Sequence, residues 1–299
     1  MFKLAHISDI HLGPMPKVRK RDLVSKRITG YINWQRNRGK TMGGDYLSGL
    51  VAHMHAAEPD HIAVTGDLVN LALDAEVQAA RGWLETVGPP DLVSVVPGNH
   101  DAYVPGALAR VRDAWAPYMA GDRTRAGRTV RFPYVRRRGD VALIGVNSGR
   151  ATAPFMSTGS LRSAQGHALE AVLGETEGMF RVVMIHHPVS PNATDYSKRL
   201  IGSTRFRRIV RDAGAELVLH GHTHLPTQNE IEGADGVRVP VIGVSSASAA
   251  PEHGKKKPGA RYNLFEIDGA PGEWSLRQEE FGYLPDGVGV EKIAERVLI

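Results

Sequence analysis

Ten side chains of the types that hold hard metal ions fall in five short motifs: Asp9-x-His11, Gly66-Asp67, Gly98-Asn99-His100-Asp101, His186-His187-Pro188 and Gly221-His222-x-His224. Carboxylate, imidazole and amide donors in this number are enough for two neighbouring ions. The chain has no cysteine, which excludes disulfides, thiolate zinc sites and iron–sulfur clusters. The donor set suits Mn, Fe or Zn better than copper(I). Two cations about 3.5–4 Å apart need a shared anionic ligand. Asp67 is the natural bridge, and Gly66 before it allows a tight turn. Asp9 and His11, two residues apart, point the same way in an extended segment. One ion could take Asp9, His11, Asp67 and one late histidine; the other could take Asp67, Asn99 and the remaining histidines. His6 and His61 fit the motifs less well, and His187 and His220 read as neighbours of ligands.

Something must bring these scattered motifs together, and the sequence supplies it. Each motif follows a β-branched apolar run. Lys3–Ile7, His61–Thr65, Leu92–Val96, Val141–Val146, Val182–Ile185, Leu217–Leu219 and Val239–Val244 read as strands covered on both faces. Between them Tyr46–Ala57, Asp74–Val87, Ala107–Met119, Ser160–Leu173 and Leu200–Asp212 read as helices. Asp74 is placed as an N-cap, with Val77 and Trp83–Leu84 on the buried face. Strand-like runs return at Tyr262–Ile267 and Trp274–Gln278. The expected class is therefore α/β, with the motifs at strand carboxyl ends, where open α/β sheets bind ligands. No internal repeat or linker divides residues 1–299, so one domain is expected.

The N-terminus shows no signal-peptide pattern, and no stretch approaches the roughly 18 apolar residues of a membrane span. The default expectation is a cytoplasmic protein. A net charge of +5 and a pI near 9.4 favour anionic ligands without choosing among them. No motif calls for an obligate protein partner, and a homodimer is left open.

On its five motifs the sequence resembles the calcineurin-like metallophosphoesterases from Asp9 to His224. The resemblance implies a four-layer αββα sandwich of two mixed sheets with a dinuclear metal site at the strand carboxyl ends. It implies one ion held by Asp9, His11, Asp67 and His224, and a second by Asp67, Asn99, His186 and His222. His100 would stand outside the metal shell near the scissile phosphate, oriented by Asp101. Two cations lower the pKa of a bridging water and polarise the phosphoryl oxygens. The resulting hydroxide would attack phosphorus in line with the leaving oxygen, which His100 would protonate.

Within the superfamily, Ile7–Leu12, Thr65–Leu68, His186-His187-Pro188 and Gly221–His224 look most like the class III cyclic-nucleotide phosphodiesterase and glycerophosphodiesterase branch. Pro258–Tyr262 resembles it too. That likeness implies a small anionic phosphodiester substrate.

A competing clue lies in residues 17–40, where Lys17, Arg19, Lys20, Arg21, Lys26, Arg27, Arg36, Arg38 and Lys40 face Asp22 alone. Val24, Ile28, Tyr31 and Ile32 fall at helical spacing, with Trp34 alongside. Such a segment reads as a cap over an amphiphilic substrate or as an element lying on an anionic membrane surface, at the inner membrane face. The plain alternative is a solvated helix packing Ile28 and Ile32 on the core. A cap would favour a lipid-linked pyrophosphate, as cleaved by the related UDP-diacylglucosamine hydrolases, one branch of which has arginine where this chain has His100. A DNA nuclease shares the motifs and the Asp9–Gly13 start, but its added capping and coiled-coil segments are not evident. A non-catalytic scaffold would have lost ligands, and here every position is filled. Arg123, Arg125, Arg128, Arg131 and Arg136-Arg137-Arg138 read as a solvated loop and strand edge, and Lys255-Lys256-Lys257 as a mobile loop.

Overall fold

The apolar runs become strands because two cores claim alternate residues of each. In β5 (Val141–Gly145), β7 (Phe180–Met184) and β9 (Leu217–His220), Leu143, Val182, Met184, Leu217 and Leu219 enter the core between two sheets. Ile144, Val183 and Val218 point the other way. There they meet Leu169 and Leu173 of α6 (Ser163–Glu175) and Phe206 and Ile209 of α7 (Ser203–Ala213). Period-two alternation between two apolar environments reads as a continuous Val/Ile/Leu run.

The structure is a computed structural model that describes residues 1–36, 44–124, 128–251, 258–285 and 288–299. One six-stranded sheet has the order β14-β13-β12-β1-β2-β3, in which β1 (Phe2–Ile7), β2 (His61–Val64) and β3 (Val93–Val95) are parallel. Its β12 (Arg261–Asp268), β13 (Ser275–Tyr283) and β14 (Val290–Val297) are antiparallel. The other sheet has the order β10-β11-β9-β7-β5-β4, with a parallel centre through β11 (Arg238–Gly243). Its antiparallel edges are β4 (Tyr134–Arg138) and β10 (Thr227–Glu232). α2 (Gly44–Ala56) and α3 (Asp74–Val87) cover the first sheet with Leu50, Met54, Val77 and Leu84. The four-layer α/β sandwich of two mixed sheets is as expected.

Some elements depart from the pattern. Residues 107–119 form two helices, α4 (Ala107–Ala114) and α5 (Ala116–Met119), broken at Trp115 ahead of Pro117, which lacks the N–H a continuous helix needs. Leu200–Ile201 form β8, paired with β6 (Gly159–Ser160), so α7 begins only after Gly202 turns at φ 92°. Leu73, not Asp74, caps α3, and Glu76 accepts the backbone N–H groups of Asn70 (2.9 Å) and Leu73 (2.9 Å). Arg136 is no solvated residue: it is buried, and its guanidinium donates to the carbonyls of Pro90, Val93 (2.7 Å), Pro117 (2.6 Å) and Ala120 (2.7 Å). Arg38, Lys40, Arg125 and Lys255–Lys257 lie outside the described residues.

The five motifs follow β1, β2, β3, β7 and β9, all parallel strands, of which β3 is the edge of its sheet. At that rim the sheets join through a parallel bridge between Ser8 and Ser246. Ser246 Oγ donates to the Asp9 carbonyl at 2.6 Å.

Candidate metal centre

Backbone conformation aims the ligands. Asp9, His11, Asp67, His222 and His224 have φ of 54°, 43°, 56°, 72° and 55°, a left-handed region that side chains other than glycine enter at a cost. Asp9 and His11 therefore do not converge as alternate residues of an extended segment. The chain leaves β1 and bends, with Asp9 N–H donating to Gly66 O and His11 N–H to Asp67 O, both at 2.9 Å. Ile10 between them is fully buried. Gly66 sits so close to the next loop that a Cβ would fall 2.5 Å from Gly98 N.

The donor atoms then form a connected cluster. Asp9 Oδ1 lies 3.1 Å from His224 Nε2 and 3.9 Å from His11 Nε2. The two imidazole nitrogens of His11 and His224 face each other at 3.4 Å. Asp67 Oδ2 lies 3.9 Å from His11 Nε2 and 3.4 Å from His186 Nε2, which is 3.2 Å from Asn99 Oδ1. Asp67 stands between the two halves, as a bridging ligand must.

Tautomers are set from behind. His11 Nδ1–H donates to Val69 O (3.2 Å) and His186 Nδ1–H to Thr65 O (2.7 Å), so each ring presents its Nε2 to the cluster. His222 lies outside the tightest groups of donors. Its Nε2–H donates to Lys198 O at 3.0 Å, which leaves the lone pair on Nδ1, and its ring lies 5.1 Å from that of His186.

The residues fit divalent metal ions. Asp9 Oδ1 is buried without a hydrogen-bond partner, an arrangement that costs free energy unless a cation meets it. Burial alone would raise the Asp9 and Asp67 carboxyls. The imidazoles beside them, His224 at Asp9 and His186 at Asp67, hold both well below the usual carboxylate range. Both are thus anions ready to ligate. His186, although burial opposes its charge, is pushed up to about 9 by Asp67.

His187 and His220 are spent on protein partners. His187 Nε2–H donates to Ser157 O (3.0 Å) and its Nδ1 accepts from Ser148 Oγ (2.8 Å). His220 Nδ1–H donates to Gly221 O (2.9 Å) and its Nε2 accepts from Thr227 Oγ1 (3.2 Å). Burial pushes them down to about 3 and about 4. His6 and His61, bonded to Thr65 (2.9 Å) and Ser94 (2.8 Å), are both pushed down to about 3 by burial.

His100, expected outside the metal shell, forms one of the tight donor groups with His11 and Asp67, its ring 4.8 Å from that of His11. The group that orients it is the Asn70 carbonyl, which accepts from Nδ1–H at 2.6 Å. Tyr103 stacks on it at 5.3 Å. Asp101 differs from the role expected of it. Its Oδ2 accepts from Asp67 N–H (2.8 Å) and Gly98 N–H (2.7 Å), and its Oδ1 from Leu68 N–H (2.9 Å) and Val69 N–H (3.3 Å). A buried carboxylate so placed buckles two ligand loops together. Nothing in the motif itself distinguishes that role from a bond to the adjacent histidine.

Beside His100 and Asn99 opens a cleft of about 280 Å³. Its far wall is residues 26–34, including α1 (Arg27–Arg36), with Lys26, Asn33 and Trp34 on the lining opposite Tyr103 and Phe155. Lys26 Nζ donates to Thr152 Oγ1 (2.6 Å) and Met156 O (2.7 Å) and lies 4.7 Å from the Tyr103 ring centre. Arg27 donates to Leu71 O (2.9 Å) and Ala72 O (2.5 Å). Ile28 and Ile32 do not pack on the core; both are exposed. Asn70, Tyr103 and the inward-facing Lys26 escaped the sequence reading, Lys26 because it was one cation in a run.

The family model of the calcineurin-like phosphoesterases matches residues 2–226, so the chain belongs to that family of metal-dependent phosphoesterases. Among solved structures it is similar to a 5'-nucleotidase precursor from Thermus thermophilus, with 17% identity and a TM-score of 0.54 over 96% of this chain and 55% of that one. It is also similar to the purple acid phosphatase PPD1 from yellow lupin (Lupinus luteus) seeds, with 11% identity and a TM-score of 0.54 over 95% and 52%. The chain thus spans about half the length of each, and at these identities the likeness is one of fold. No curated protein matches the sequence significantly.

Proposed function

We propose that the protein hydrolyses a small phosphodiester at the Asp67-centred site. The observation that carries this reading is the cleft beside His100, which places one cation and several aromatic walls within reach of the metal ligands. A phosphodiester with one planar or apolar ester arm, such as a cyclic nucleotide or a glycerophosphodiester, matches that lining in charge and shape. Asp9, His11, Asp67 and His224 would hold one ion, and Asp67, Asn99, His186 and His222 the other, with Mn, Fe or Zn as candidates. Bound there, the pair supplies Lewis acidity toward the phosphoryl oxygens and an activated water.

The chain's own residues do the rest. Lys26 adds positive charge at the cleft wall and favours an anionic substrate. With Nδ1–H committed to Asn70 O, the imidazolium form of His100 holds its transferable proton at Nε2, where it can reach the leaving oxygen. Tyr103 behind the ring and Asn70 beneath it fix that direction. Residues 26–34, the far wall of the cleft, would shield it from water.

The test is a substrate panel on metal-reconstituted enzyme: cyclic AMP, glycerophosphodiesters, UDP-diacylglucosamine and single-stranded DNA. Turnover confined to the first two supports the proposal. Preference for UDP-diacylglucosamine would replace it with a lipid-linked pyrophosphate hydrolase. Preference for DNA, with a steep salt dependence, would replace it with a nuclease.

A further inference from the structure

The side of residues 20–36 that faces away from the cleft carries an apolar stripe. Ile28 and Ile32, four residues apart on α1, stand 50% and 42% exposed, and Val24, in the turn just before it, 85%. A helix ordinarily turns such a stripe inward. Here the opposite side is fixed instead. Lys26 is tied to Thr152 and Met156, and Arg27 to Leu71 and Ala72. A Cβ on Gly30 would fall 2.7 Å from Leu71 Cδ2 and overlap the Tyr103 hydroxyl. The helix therefore cannot roll to bury its isoleucines. Phe155, on the cleft lining, is 87% exposed.

Charge surrounds the stripe. Lys17, Arg19, Lys20, Arg21 and Arg36 are exposed, and the one acid in residues 17–36 is Asp22, paired to Arg19 at 3.0 Å.

We propose that this face docks on an anionic phospholipid surface. Val24, Ile28 and Ile32 enter the interfacial region, while the flanking lysines and arginines lie against the head groups. A nucleic acid would engage the cations but leave the aliphatic side chains with nothing to pack on. A bilayer interface takes both. The proposal concerns binding alone and stands or falls apart from the choice of ester bond hydrolysed.

The experiment is co-sedimentation of the full chain with phosphatidylcholine vesicles, with and without about one-third phosphatidylglycerol, at low and high salt. Binding is expected to the anionic vesicles only and to weaken with salt. Ile28→Ser/Ile32→Ser, residues off the cleft lining, is expected to lower the partition coefficient about tenfold. Lys20→Gln/Arg21→Gln is expected to lower it about 25-fold, near fivefold for each charge. Melting temperatures equal to the parent's show that the variants are folded. Two results overturn the proposal: no sedimentation with anionic vesicles at low salt, or sedimentation unchanged by the isoleucine pair. The second would mark plain electrostatic adsorption of a basic protein.

Discussion

Asp101 offers the sharpest test of how the site is held. In Asp101→Asn the side chain keeps its size but exchanges one acceptor oxygen for an NH2 group. The carboxylate accepts from two N–H groups on each oxygen: Asp67 and Gly98 on Oδ2, Leu68 and Val69 on Oδ1. Whichever way the amide turns, two buried donors face an NH2. Each unsatisfied buried donor costs about 1–3 kcal/mol, so the substitution is expected to cost about 2–6 kcal/mol. That is a large part of the stability of an ordinary domain, about 5–15 kcal/mol. In either orientation the stranded donors belong to ligand loops, so metal affinity should fall with stability, by about 10–100-fold as for other groups that orient ligands. Urea denaturation of the metal-free protein reads the first effect, and titration with Mn or Zn followed by metal analysis reads the second. His100→Ala, which touches none of these N–H groups through its side chain, is the comparison. Unchanged urea midpoint and metal content in Asp101→Asn, with a fall in kcat matching that of His100→Ala, would refute the buckle and restore a role for Asp101 through His100.

Asp67→Ala removes the group between the two halves of the cluster and is expected to abolish activity with any metal; more than a few per cent of parental turnover with two ions still bound would falsify the dinuclear assignment. His100→Ala should keep its metal and lose about 10²–10⁴-fold in kcat, most with poor leaving groups; equal losses for good and poor leaving groups argue against it as the acid. Burial pushes the Lys26 ammonium down to about 8 against the pull of Asp67, so it is charged below that pH and neutral above. kcat/KM for an anionic diester should therefore fall as pH rises through about 8, and Lys26→Arg, charged throughout, should flatten that limb. His61, far along β2 from the site, is pushed down to about 3 by burial and the nearby Arg136. Its folded value lies below the unfolded one near 6.5, so the unfolded chain binds the extra proton and stability falls on acidification from about 6.5 toward 3. Urea midpoints measured across that window should be less acid-sensitive in His61→Gln.

What could be read from the sequence was what burial dictates. Strands that separate two apolar cores must be apolar at every position, so β5, β7 and β9 announced themselves, and the motifs after them fell at the right rim. β14 did not: as an edge strand it carries Glu291, Lys292, Glu295 and Arg296, and its pairing to β13 leaves little apolar pattern. Orientation was equally hidden. The spacing of Val24, Ile28 and Ile32 marks one face of a helix but not which way it turns, and Lys26, Arg27 and Gly30 decide that through contacts with residues far away in sequence.

The left-handed backbone at the ligands was invisible for a different reason: nothing local favours it. Asp9, His11, Asp67, His222 and His224 would each avoid positive φ alone, at a cost of about 1–3 kcal/mol. Neighbouring loops must hold them there. Asp101 shows how: burial and the charge of Asp67 push its carboxyl up to about 7, yet even at about 0.5–1.5 kcal/mol for an ordinary hydrogen bond the four it receives are enough to offset the strain at Asp67. The Asp9 carboxylate does the same across the two sheets, its Oδ2 accepting from His222 N–H at 2.9 Å while its Oδ1 faces the cluster. One oxygen of Asp9 thus holds another ligand's backbone in its strained turn and the other is left for metal. Metal binding and loop strain are coupled through single side chains. Ions added to the protein should therefore tighten the backbone at Asp9 and His222 together, measurable as matched gains in amide exchange protection at positions more than two hundred residues apart; protection gained at one and not the other would break the coupling.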